Sequence, residues 1–123
     1  MNDIDKILEQ DTDGMVTYDY IVNNVETCLE SLPFLIAKLK EVDCSGQFLA
    51  STARFLNAVD PETFRPFMTA LIEAAIDKDR ERKYISALLQ SLWGENYEDR
   101  VDELNRTDDN FRKIYKRVYP KGI

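Results

Sequence analysis

Apolar residues recur at every third or fourth position along this chain and nowhere sustain a two-residue alternation, which confines it to packed helices. Residues 60–94 show the pattern most clearly. Asp60, Pro61 and Glu62 read as a helix start: a capping aspartate, a proline tolerated in the first turn, and an acid at the positive end of the helix dipole. Phe64, Phe67, Met68, Leu71, Ile72, Ala75 and Ile76 then form one broad apolar stripe, with Pro66 expected to kink or detach its first turn. A run of charges from Asp77 to Lys83 reads as a solvated connection. Tyr84, Ile85, Leu88, Leu89, Leu92 and Trp93 make a second stripe that Gly94 ends.

The flanking segments carry the same spacing. A short helix is expected from Asp3 to Gln10 with Ile4, Ile7 and Leu8 inward, followed by a turn at Asp11, Thr12, Asp13 and Gly14. Thr17 or Asp19 then caps a helix that presents Tyr18, Ile21, Val22, Val25, Cys28, Leu29 and Leu32 on one face until Pro33 interrupts it. Phe34, Leu35, Ile36, Leu39 and Val42 continue as the next helix, and Ser45 is the cap candidate for one carrying Phe48, Leu49, Thr52, Phe55, Leu56 and Val59. Beyond Gly94, Glu95 and Asn96 open a short helix with Tyr97, Val101 and Leu104, and Thr107 caps a last one. The expected fold is one all-α domain over residues 1–123, with six or seven short helices in antiparallel hairpins. Its core is expected to include Val22, Val25, Leu39, Phe55, Phe67, Leu71, Ile72, Leu88, Leu89, Leu92 and Trp93.

A shift of 33 residues lays Pro33, Phe34 and Leu35 on Pro66, Phe67 and Met68, Leu39 on Ile72, Phe55 and Leu56 on Leu88 and Leu89, and Val59 on Leu92. In that hydrophobic pattern the chain resembles the HEAT/armadillo class of α-helical repeats over half to two-thirds of its length. The resemblance implies a scaffold whose concave face binds another macromolecule. The other arrangement compatible with the pattern is an irregular helical bundle.

Composition bounds the chemistry. Histidine is absent, which removes His-based acid–base catalysis, Ser-His-Asp and Cys-His triads, and histidine-containing metal sites. The two cysteines, Cys28 and Cys44, are too few for a four-cysteine zinc site and are expected to be reduced core residues. The four glycines are scattered, so no phosphate-cradling loop exists. No stretch is apolar enough to span a membrane, and the first ten residues lack the basic and apolar regions of a signal peptide, so a cytoplasmic location is expected. The net charge of −7 disfavours binding of nucleic acid or anionic membrane by the body of the chain. Residues 1–60 hold 11 acidic and 4 basic side chains, residues 61–104 hold 10 and 6, and residues 105–123 hold 2 and 6. A basic tail on an acidic body is expected to fold back onto it.

Three stretches are candidates for specific chemistry. With Gly14 at the sixth position of an EF-hand loop, Glu9, Asp11 and Asp13 fall at positions one, three and five, which resembles the calcium loop. Tyr20 stands where the bidentate glutamate belongs, and an Asp-Gly turn accounts for the same residues. Glu95, Glu98 and Asp102 share a helix face and could hold a metal ion. They look like the E-x-x-E half of the all-α nucleoside triphosphate pyrophosphatases, which implies a Mg²⁺-dependent nucleotide hydrolase, but the matching E-x-x-D half is missing. A solvated surface explains them as well. Phe111, Tyr115 and Tyr119 form an aromatic stripe backed by Arg112, Lys113, Lys116 and Arg117. The pattern suits nucleic acid or membrane, or a helix docking its rings on the core; the acidity of the rest favours docking. The reading that remains is a non-catalytic protein–protein interaction module without a cofactor. It would act as an acidic adaptor or an inhibitor of immunity type for a basic protein partner, and the nucleotide hydrolase is the alternative.

Overall fold

The computed structural model describes residues 3–120, and within them the chain is all-α, with no strand. Eight α-helices follow one another, one or two more than the periodicity predicts. They are α1 (Asp3–Gln10), α2 (Met15–Asn23), α3 (Leu32–Val42), α4 (Gln47–Val59), α5 (Pro61–Lys78), α6 (Ser86–Trp93), α7 (Val101–Thr107) and α8 (Asp109–Val118). Short 3₁₀ turns, Leu29–Ser31 and Tyr97–Arg100, lead into α3 and α7. The inward placement expected of Ile4 and Ile7 lies outside the described side chains; Leu8 packs partly buried on the core.

Three aspartates build the corners α1–α2, α3–α4 and α5–α6 in one way. The N–H groups at the start of a helix have no partner within it. Each of these aspartates turns its carboxylate inward to accept them, and each is at most 3% exposed. Asp11 accepts the N–H of Gly14 at 2.8 Å and both the N–H and the hydroxyl of Thr17 at 2.8 and 2.5 Å. Asp43 accepts from Gly46 at 3.1 Å and Leu49 at 2.8 Å. Asp79 accepts from Lys83, Tyr84 and Ile85 at 3.0, 2.6 and 2.8 Å. In every case the residue six positions on donates at 2.8 Å, and the residue three positions on has positive φ: Gly14 at 105°, Gly46 at 83° and Arg82 at 60°. The corners also stack. A Cβ on Gly14 would come within 3.0 Å of the Phe48 ring, and one on Gly46 within 3.0 Å of the Ala75 carbonyl oxygen and 3.1 Å of Asp79.

The helices that follow the corners touch in order, α2 on α4 and α4 on α6, and α6 then meets α8, while α5 runs along α4 in the most extensive pairing among the described residues. Buried Ala50, Ala53, Ala74 and Ala75 on those two helices let their axes approach. The interior is one cluster that includes the predicted Leu39, Leu71, Ile72, Leu88 and Leu89; Val25, Phe55, Phe67, Leu92 and Trp93 pack partly buried at its edge, and Val22 is half-buried.

Several boundaries depart from the periodicity. The helix expected to run to Leu32 stops at Asn24, whose side-chain amide donates to the Tyr20 carbonyl at 2.9 Å; Pro33 then lies in the first turn of α3, where its missing N–H costs nothing. Residue 66 does not detach a turn: α5 continues through it, with Pro66 and Glu62 both exposed. Phe34, placed on an apolar stripe by spacing, is 69% exposed. The caps expected at Thr17, Ser45 and Thr107 are Gly14, Gly46 and Asp108. Among the described residues no helix is long and apolar enough to cross a membrane.

Candidate functional site

Helices α2, α4 and α6 differ from the rest of the molecule in charge. They are 9, 13 and 8 residues long and together hold two charged side chains, Asp19 and Arg54, in a chain that is 32% charged. Because the three helices lie side by side, this depletion becomes a surface. Its open groove of about 450 Å³ is lined by Tyr18 of α2, Ser51, Arg54, Phe55 and Ala58 of α4, and Ser91 of α6. The Tyr18 ring is held by Phe48, 5.9 Å away between centroids, and Phe48 in turn lies over Gly14 of the first corner. The corner geometry thus sets the wall of the groove. Charge depletion with aromatic enrichment is the composition of the centre of a protein interface.

The residues singled out by motif lie elsewhere. Glu95, Glu98 and Asp102 are all exposed, the first in the turn after α6, the second in the 3₁₀ turn and the third in α7. The backbone at Arg100 (φ −121°, ψ 17°) separates the last two, so the continuous helix face expected for them is replaced by two short pieces. Among the described residues no three of Asp, Glu and Cys gather closely enough to hold a metal ion. In the loop resembling a calcium site, Asp11 is committed to backbone donors and Asp13 accepts the Met15 N–H at 2.9 Å. Burial alone would raise the Asp11 carboxyl; the hydrogen bonds from Thr17, Gly14 and Asp13 outweigh it and hold the group below its ordinary value.

The basic tail does fold back on the acidic body. Lys113 pairs with Glu73 of α5 at 2.5 Å, and Arg112 pairs with Asp109 and donates to the Asn105 carbonyl. The aromatic stripe docks inward. Phe111, fully buried, meets Trp93 edge-on at 5.2 Å and stacks on Tyr115 at 5.4 Å, and Tyr115 lies 4.9 Å from Tyr119. Trp93 Nε1 donates to Asp108 at 2.8 Å. Burial, with a hydrogen bond to Tyr119 second, pushes the Tyr97 hydroxyl up to about 12. Of the two cysteines, both free, Cys28 is in the core, where burial raises its thiol. Cys44 is exposed at the second corner, contrary to its expected place in the interior, because the turn directs its side chain outward while Asp43 points in.

None of the groove residues was marked by a motif. The signal was the near absence of charge in residues 47–59 and 86–93, and it gains meaning only when those helices are known to be neighbours. Compared with protein-family models, with curated proteins and with solved structures, the chain matches none.

Proposed function

We propose that this chain is a protein–protein interaction module, a short array of helical hairpins of the HEAT/armadillo kind, which takes its partner on the α2–α4–α6 face. One observation carries the reading: the surface where three successive post-corner helices meet is nearly uncharged and set with Tyr18 and Phe55, while the corners and the remaining helices hold the charge. The recurrence of one aspartate corner at residues 11, 43 and 79 supports the array. Such an array presents one helix of each unit on a shared face.

The test is photo-crosslinking from single positions in the cell. A crosslinker at Ala58, in the groove, is expected to give one discrete protein adduct, and the same group at exposed Ala37 of α3 to give none. The adduct should disappear in Phe55→Arg while the helical circular dichroism stays unchanged. Adducts from Ala37 alone, or an Ala58 adduct indifferent to Phe55→Arg, would remove the assigned face.

A further inference from the structure

Arg54 is the one cation of the groove, and its own helix offers it no acid. Lys38, Arg65, Arg100 and Arg112 each pair with an acid three residues away on their own helix or its lead-in turn. The corresponding neighbours of Arg54 are Ala50, Ser51, Asn57 and Ala58, none acidic, and among the described residues it has no ion-pair or hydrogen-bond partner. The hydroxyls of Tyr18, Ser51 and Ser91 line the same groove and are likewise unbonded. The groove therefore gathers a guanidinium fork and three hydroxyl donors, with no carboxylate in its lining, beside an apolar strip of Phe55 and Ala58.

Resting on the interaction-module reading, we propose that the groove receives a peptide segment of the partner that carries one carboxylate side chain. The carboxylate sits on Arg54, and the apolar residues beside it lie on Phe55 and Ala58. A planar carboxylate matches the two parallel N–H groups of a guanidinium, and the hydroxyls can satisfy its remaining lone pairs. Charge fixes the class further. One arginine balances one negative charge; a phosphate, at close to two, calls for a second cation, which the lining lacks, inside a chain of net charge −7. Shape fixes the occupant as a length of chain. The groove is open and crosses three helices, whereas small-ligand sites enclose most of their ligand.

The experiment is an amide NMR titration of the full chain at low salt with three blocked peptides, Ac-Ala-Leu-Xaa-Leu-Ala-amide, where Xaa is Glu, Gln or phosphoserine. The Glu peptide is expected to shift the amides of Ser51, Arg54, Ala58 and Ser91, and the Gln peptide to bind about tenfold more weakly. In Arg54→Gln the Glu peptide should fall to the level of the Gln peptide, with the other amides unmoved because Arg54 is exposed. Equal binding of the Glu and Gln peptides, no groove shifts at millimolar peptide, or tighter binding of phosphoserine than of Glu would each overturn the carboxylate assignment. The two readings fail separately. If the Glu preference is absent while the Ala58 crosslink and its dependence on Phe55 persist, the module reading stands without the carboxylate; if the crosslink is absent, the module reading falls.

Discussion

Replacing Asp43 with alanine would strand the N–H groups of Gly46 and Leu49 in a site that is 1% exposed. Each buried unsatisfied donor costs about 1–3 kcal/mol, so Asp43→Ala should lower the unfolding free energy by roughly 2–6 kcal/mol in urea. Asp43→Asn, which keeps one acceptor oxygen, should lose less. Asp11 adds a pH dependence whose sign follows from its depressed carboxyl. The folded chain prefers the charged form, so the stabilisation is complete above the ordinary carboxylate value of about 3.9 and is lost as pH falls through the lower folded value. The urea midpoint should therefore fall on acidification below about pH 4, and less steeply in Asp11→Asn. A midpoint whose acid dependence is the same in that variant would show that Asp11 is not the titrating group.

At the level of elements, the three corners differ where one has a free outer side. Gly14 and Gly46 have the next corner or its helix packed against them, so a side chain there meets both a positive φ and a close neighbour. Arg82 occupies the equivalent left-handed position but is exposed, so its side chain is accommodated at the expense of backbone strain. Arg82→Gly should then stabilise the chain by about 1 kcal/mol, whereas Gly46→Ala should destabilise it by more than that; paired thermal melts would check both signs. The last helix buries Phe111 and Ile114 completely, and Phe111→Ala should cost about 3–5 kcal/mol and broaden the Trp93 indole resonance. How much of this was legible in sequence depended on which interaction ends an element. Helix type and the burial of Leu71, Ile72, Leu88 and Leu89 follow from spacing, and the stop at Gly94 from the glycine itself. The corners did not, because an inward aspartate and a turn aspartate are spelled alike. Asp79 reads in sequence as one of seven charges in a solvated connection, although its carboxylate is buried. Phe34 misled for the related reason that spacing assigns a face but cannot say whether another helix covers it.

Across the whole molecule, the distribution of charge separates two ways of binding a partner. A net charge of −7 on the chain would draw a basic partner to the exposed carboxylates of the outer helices, as an acidic inhibitor draws a basic enzyme. Such an encounter rests on many exposed charges, which salt screens to a Debye length of about 10 Å at 0.1 M. The groove of the α2–α4–α6 face offers Arg54 as its one charge, so binding there draws on the burial of Tyr18, Phe55 and Ala58 and on one local pair. Affinity measured at 50 and at 500 mM salt distinguishes them. A partner seated on the neutral face should weaken by about threefold or less, almost all of it in the association rate and most of it lost in Arg54→Gln. A loss of about a hundredfold or more, untouched by Arg54→Gln, would place the contact on the acidic surface instead and turn the neutral groove into a consequence of the central position of α4. The neutral-face outcome is favoured because the Lys113–Glu73 pair and the docked α8 already neutralise part of the acidic body from within the chain, while nothing within the described residues partners Arg54.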